Sequence, residues 1–239
     1  MASRRLKIAS SSRCFHRHGK NICPDPGRFK LSHELKRTSQ NWRMCKMKRA
    51  LIINGSLRAG GNSDQIIASL VAGAKRGETS IVHYILRNHL IRDCVGFYFC
   101  YRNSECALDD EMKNIHREIQ SADVLILASP LYWWGVTGLM KTFIDRLYLY
   151  YPRRNAKLIA GKKAIILTPM HVNEKEHGKE AYESEIEPIT LTYGHILKRL
   201  GIEILDMVFF PGVGKKGEAR KNAAYIEGAS KLGEQIGTL

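Results

Sequence analysis

Ten consecutive residues hold the densest chemistry in the chain: Asn54-Gly55-Ser56-Leu57-Arg58-Ala59-Gly60-Gly61-Asn62-Ser63, followed directly by an apolar helical period. Glycines let a ligand approach the backbone, while Ser56, Ser63 and the Asn62 amide can hydrogen-bond oxygens. The start of a helix adds unpaired N–H groups at the positive end of its dipole. That set suits a phosphate. No Gly-Lys-Ser/Thr follows, so the turn is not a P-loop, and its glycines do not spell the G-x-G-x-x-G fingerprint. A nucleoside triphosphate or a Rossmann-bound dinucleotide is therefore not expected at this position. Taken alone, the turn also reads as a plain Gly-rich connection with Asn62 or Ser63 as helix N-cap.

A different chemistry lies in Pro130-Leu131-Tyr132-Trp133-Trp134-Gly135, whose aromatic faces would gain from offset stacking on a flat ligand. The same rings could instead cover the core or form a subunit interface. Thr168-Pro169-Met170-His171 closes another apolar run and falls by position on the other side of such a ligand, although a lone His at a strand end is more often a surface or capping residue. Cys94, Cys100 and Cys106, spaced C-x5-C-x5-C, raise the question of a metal.

The apolar period supplies a scaffold for these segments. Residues 50–53 read as a strand, and Ile66, Ile67, Leu70, Val71 and Ala74 share one helical face. Residues 80–86 read as a second strand, and 107–120 as a second helix with Met112, Ile115 and Ile119 inward. The pure apolar run 124–128 has the mark of a strand covered on both faces in a parallel sheet. Leu139, Met140, Phe143, Ile144 and Leu147 define a third helix. It is followed by a strand over 164–168, a helix over 183–200, a strand over 202–210 and a helix over 217–236. Such alternation predicts an α/β fold with right-handed crossovers, helices on both faces and ligands at the carboxyl ends of the strands. The turns 54–63, 129–137 and 168–173 all lie at those ends. The connection 87–108 is longer than the usual few residues.

With 239 residues, 44% hydrophobic and 26% charged, the chain has the make-up of one ordinary domain plus a tail, which excludes a disulfide scaffold or a low-complexity polymer. No run approaches the roughly 18 apolar residues needed to cross a bilayer, so no membrane partner is expected. The net charge of +15 would suggest nucleic acid, but residues 1–47 hold 12 basic and 2 acidic residues, leaving 26 against 21 for the remainder. No specific nucleic acid is expected for the main domain. Residues 1–46 lack a hydrophobic period and are expected to be disordered. Their Arg- and Ser-rich start, with no acid before Asp25, is similar to an organellar transit peptide, and a basic arm for polyanions is a further reading. Met47 stands directly before the first strand and is the expected true start, with the folded domain spanning 47–239 and residues 1–46 no functional part of it.

Gly55-Ser56-Leu57-Arg58 with Gly61-Asn62-Ser63, joined to the run from Ser129-Pro130-Leu131-Tyr132 through Lys141-Thr142-Phe143-Ile144-Asp145-Arg146, resembles the flavodoxin-like NAD(P)H-dependent FMN reductase family. The similarity covers most of residues 47–210. It implies a flavodoxin-like three-layer α/β/α sandwich with a five-stranded parallel sheet in the order 2-1-3-4-5. It also implies an FMN whose phosphate maps onto Ser56, Arg58, Asn62 and Ser63, and whose ring is bordered by Pro130, Leu131, Tyr132, Trp133, Trp134 and Gly135. Thr168, Pro169, Met170 and His171 would complete the ring site. The family's usual Ser-Pro-Arg is Ser56-Leu57-Arg58 here, which loses turn rigidity but no ligand atom.

The activity so implied is a cytoplasmic oxidoreductase that takes a hydride from NADH or NADPH and passes electrons to a quinone, an azo or nitro compound, a free flavin or a metal ion. It would work as a homodimer or homotetramer. The cofactor carries the hard chemistry, so no catalytic side chain is assigned. A non-enzymatic flavodoxin-type electron carrier is the main alternative, but such carriers are usually acidic and this domain is slightly basic. The iron-sulfur flavoproteins are a second alternative. If Phe97 were Cys, the pattern would become C-x2-C-x2-C-x5-C. With Phe97 in place, a four-thiolate cluster lacks one ligand that His89 or a distant residue would have to replace, so no metal is expected. Zinc on three thiols would lack a fourth ligand in the same way.

Overall fold

The computed structural model describes residues 47–239 and, ahead of them, two short strands, Phe15–Arg17 and Lys20–Ile22, that pair antiparallel. Apart from those strands, the expectations for residues 1–46 lie outside the described residues. Lys48–Leu239 is the folded unit that carries the site.

Its sheet is built from β1 (Arg49–Asn54), β2 (Ser80–Ile85), β3 (Val124–Ala128), β4 (Lys163–Pro169) and β5 (Glu203–Phe210). All pairs are parallel and the order is β2-β1-β3-β4-β5, the expected 2-1-3-4-5. The long helices are α1 (Asn62–Arg76), α2 (Met112–Ser121), α3 (Gly138–Arg146), α4 (Lys179–Arg199) and α5 (Ala223–Ile236). Strand residues alternate between two cores because successive side chains point to opposite faces. Leu51, Ile53, Leu125 and Leu127 join Ile115, Phe143 and Leu197 from α2, α3 and α4. Ala50, Ile52, Val124 and Ile126 join Ile66, Leu70 and Ala229 from α1 and α5. Each fully buried Leu or Ile adds about 1.5–3 kcal/mol, so the central strands anchor the whole sandwich.

Three element boundaries differ from the apolar pattern. The second helix begins at Met112, not at residue 107, because Asp110 accepts from the Met112 N–H at 3.1 Å and from the buried Arg146 guanidinium at 2.6 Å. The fourth helix starts earlier, at Lys179, and runs through Pro188. The last one is broken at Asn222, whose side chain caps α5 and separates it from a short turn, Glu218–Lys221. Arg146 also donates to Arg92 O at 2.7 Å and to Cys106 Sγ at 3.3 Å, so one buried side chain pins the long connection between β2 and α2. Among the described residues no helix is long and apolar enough to cross a membrane.

Candidate functional site

The turn after β1 is locked to the start of α3. Gly55 donates to Ala128 O at 2.8 Å, and a Cβ placed on it would lie 2.8 Å from Met140 Cβ, so only glycine lets the helix approach this closely. Thr137 caps α3 by accepting from Met140 N, donates through Oγ1 to Gly55 O at 2.7 Å, and donates its own N–H to Ser129 Oγ at 3.1 Å. Behind the turn, Asp64 accepts from Asn54 Nδ2 at 2.6 Å and from Gly60 N at 2.7 Å, and forms an ion pair with Arg87. Burial raises the Asp64 carboxyl, but the hydrogen bonds from Arg87, Asn54 and Gly60 together outweigh it and hold the group below its ordinary value. Arg87 also donates to Ser56 O at 3.1 Å, which fixes the turn from below.

In front of the turn lies a cavity of about 160 Å³. Gly61 is the N-cap of α1 and offers no side-chain acceptor, so the N–H groups of Asn62, Ser63 and Asp64 have no acceptor among the described residues. Ser56 and Ser63 line the same cavity, and among the described residues their hydroxyls have no hydrogen-bond partner. Of the residues expected from the sequence, Ser56, Arg58, Asn62, Ser63, Pro130, Leu131, Tyr132, Pro169, Met170 and His171 meet at this cavity. Trp133, Trp134, Gly135 and Thr168 do not line it. Leu131 N donates to Pro169 O at 3.0 Å and Met170 N to Phe210 O at 3.0 Å, which carries sheet register into the two loops.

Two features were not foreseen. The Asn62 amide does not face a ligand, because all of its hydrogen-bonding positions are taken by the loop after β5. That loop brings Val213, Gly214 and Lys216 to the cavity. The only sequence signal for it was the glycine-rich stretch Gly212-Val213-Gly214-Lys215-Lys216-Gly217 at a strand's carboxyl end.

The aromatic segment forms a tight turn in which Tyr132 N donates to Gly135 O at 2.9 Å and Gly135 N to Tyr132 O at 3.0 Å. Trp133 and Trp134 occupy its two central positions with φ of 48° and 56°, a region that normally calls for Gly or Asn. Trp133 is 88% exposed. Cys94, Cys100 and Cys106 line a separate cavity of about 40 Å³ with Phe97, Tyr98 and Phe99. Among the described residues, no group of three or more His, Cys, Asp and Glu is arranged to hold a metal ion.

Comparison with known proteins adds four findings. A family model described as Flavodoxin-like fold matches residues 48–236. A Bacillus subtilis protein provisionally named an NAD(P)H-dependent FMN-containing oxidoreductase is 26% identical over 185 residues, 76% of this chain and 94% of that one. An iron-sulfur flavoprotein of Archaeoglobus fulgidus is 32% identical over 109 residues, 46% of this chain and 50% of its own, and the chain spans about half the length of several such relatives. Among solved structures, an NAD(P)H:quinone oxidoreductase from Methanothermobacter marburgensis superposes with a TM-score of 0.62 at 17% identity, covering 80% of this chain and 99% of the other, a likeness of fold.

Proposed function

The chain belongs to the flavodoxin-like fold family, and on that premise we propose that it is an FMN-dependent oxidoreductase. It takes a hydride from NADH or NADPH and passes the electron pair to a small acceptor such as a quinone or an azo or nitro compound. A cytoplasmic setting and assembly into homodimers or homotetramers belong to the same proposal.

The observation that carries this reading is the unpaired donor set at one end of the cavity. The first-turn N–H groups of Asn62 and Ser63, the hydroxyls of Ser56 and Ser63 and the cationic side chains of Arg58 and Lys216 come together at the cavity, and among the described residues the N–H and hydroxyl donors have no acceptor. A dianionic monophosphate satisfies donors of this kind and takes up the positive dipole end. At the other end, Pro130, Leu131 and Tyr132 face Pro169, Met170 and His171, giving a largely apolar slot for a flat ring. The residues present therefore suit FMN.

Bound there, FMN supplies the centre that accepts a hydride and returns an electron pair. The protein's share is to hold and to shield. Ser56, Ser63 and the α1 N–H groups fix the phosphate. The Leu131–Pro169 and Met170–Phe210 hydrogen bonds keep the ring loops at constant spacing. Buried Met170 excludes water from the inner side of the slot.

The test is to purify the full chain, measure FMN binding, and mix the loaded protein anaerobically with NADH and NADPH in turn. Rapid bleaching of the flavin spectrum by either donor is the expected outcome. A folded protein that ignores excess FMN removes the redox reading, and a yellow protein that neither donor reduces makes it a carrier.

A further inference from the structure

Resting on the reading of the cavity as a flavin monophosphate site, we propose that Lys216 is a second cation for the phosphate and that Asn62 is the clasp that delivers it. Asn62 sits at the first position of α1, where a ligand role is the obvious expectation. Instead its Nδ2 donates to Val213 O at 2.8 Å and to Lys215 O at 2.9 Å, while its Oδ1 accepts from Gly217 N at 3.1 Å and Ala219 N at 3.1 Å. An amide has two donors and two acceptor positions, so Asn62 is fully engaged, and its partners bracket Lys216 on both sides. Asn62 is buried, so these bonds are shielded from competing water.

The loop held in this way runs across the mouth of the phosphate turn. A Cβ placed on Gly60 would lie 3.4 Å from Lys216 Cε and 3.5 Å from Nζ, so the lysine stem crosses directly over that glycine. Arg58 reaches the same loop from the other side, donating through Nη1 to Gly214 O at 2.9 Å. Glu218, the nearest carboxylate on the loop, is turned to the backbone, accepting from Lys215 N at 2.6 Å. Arg58 and Lys216 thus line one cavity, and among the described residues neither forms an ion pair with a carboxylate.

Two unpaired cations facing one small space repel each other unless an anion lies between them. A phosphate monoester carries about −1.5 to −2 charges at neutral pH, which matches two cations and a helix N-terminus better than it matches Arg58 alone. The loop after β5 therefore belongs to the cofactor site, and Asn62 is a positioning residue that acts through it.

The test uses FMN and riboflavin, which share the ring and differ in the phosphate. The full chain is titrated with each by flavin fluorescence, at low and at high salt. Lys216→Ala should weaken FMN by about five- to tenfold and flatten its salt dependence, with riboflavin unchanged within about twofold. Lys216→Arg should keep most of the FMN preference. Asn62→Ala should lose a similar factor for FMN, and Asn62→Ala with Lys216→Ala together should be no worse than Asn62→Ala alone, because both remove one interaction. Retained riboflavin binding reports that the ring slot is intact in each variant. An unchanged FMN-to-riboflavin ratio in Lys216→Ala overturns the role of Lys216, and independent, multiplying losses in the double variant overturn the clasp. Wild-type protein that binds neither flavin overturns the flavin reading itself and the inference with it.

Discussion

Arg87 grips Asp64 with both terminal nitrogens, Nη1 to Oδ1 at 3.2 Å and Nη2 to Oδ2 at 2.9 Å, at the back of the turn whose front faces the cavity. The pair is largely shielded, with side-chain exposures of 16% and 20%, and Arg87 Nη1 also reaches Ser56 O. Two consecutive elements, the first turn of α1 and the end of β2, are thereby held in one geometry. Arg87→Gln should cost about 1–3 kcal/mol in urea unfolding, because Asp64 keeps its burial but loses its charged partner. It should also weaken FMN while sparing riboflavin. Arg87→Lys should rescue little, since an ammonium cannot reproduce the planar fork. A lysine variant that matches wild type in both measurements would show that charge alone suffices.

Much of the scaffold was legible because its signals are local. The pure apolar run of β3 reads as a strand covered on both faces and the short run of β1 as a strand, and the side chains of 50–54 and 124–128 are all buried. The turn 54–63 was legible as a glycine- and hydroxyl-rich strand-to-helix connection, and its Ser56, Arg58, Gly61 and Ser63 line the cavity. What escaped depends on long-range partners. Asn62 is a small polar residue at a helix start, which reads as a ligand or a cap, yet it serves a loop more than 150 positions away. Residues 107–111 continue a plausible helical period, but Asp110 is claimed by Arg146. Lys216 looks like any surface lysine until the β5 loop folds over Gly60. Trp133 and Trp134 announced an aromatic surface, but their left-handed backbone could not be read from residue type.

That backbone yields a second prediction. Two tryptophans at positive φ each cost about 1–2 kcal/mol relative to residues that tolerate the region. Replacing Trp133 and Trp134 together by Asn and Gly suits a turn with both central residues at positive φ. Thermal unfolding should shift upward for the double variant. Steady-state turnover with a quinone should fall roughly two- to tenfold, the loss expected for one or two stacking contacts. An unchanged or lowered melting temperature would remove the strain argument, and unchanged turnover would show that the two rings make no contact that matters for turnover.

His116 should make stability fall on the acid side, and His83, whose imidazole is also lowered, should add to the fall. His116 is buried on the inner face of α2, its Nδ1 lies 3.1 Å from Tyr150 Oη, Tyr150 donates to His116 O, and among the described residues Nε2 has no partner. Burial, with the nearby Arg146 charge adding to it, lowers the imidazole from 6.5 to about 3. Between those values the unfolded chain binds a proton that the folded one refuses. Stability is therefore complete above pH 6.5 and falls as pH drops toward 3, by on the order of 4 kcal/mol. Asp64 and Asp110, held below the usual 3.8, add their own losses only at the acid end of that range. His116→Gln should flatten the curve between pH 6.5 and about 4.5, and parallel curves for variant and wild type would refute the assignment.

The packing of α1 on α5 gives two glycine substitutions of opposite sign in one helix. A Cβ on Gly233 would lie 2.0 Å from Leu70 O and 2.7 Å from Ala74 N, inside any attainable contact, and the reciprocal Gly73 would meet Ser230 O at 1.8 Å. The obstructing atoms are backbone, so they cannot swing aside. Gly233→Ala must push the helices apart, strain the core around Ile66 and Ala229, and cost about 1–3 kcal/mol or more despite alanine's better helix propensity. Gly228 lies in the same helix with nothing within 4 Å of the added carbon. There the propensity gain acts alone, and Gly228→Ala should stabilise by about 0.5–1 kcal/mol. Urea midpoints that move in opposite directions support this helix contact; a neutral or stabilising Gly233→Ala would mean that α1 and α5 sit farther apart than the structure has them.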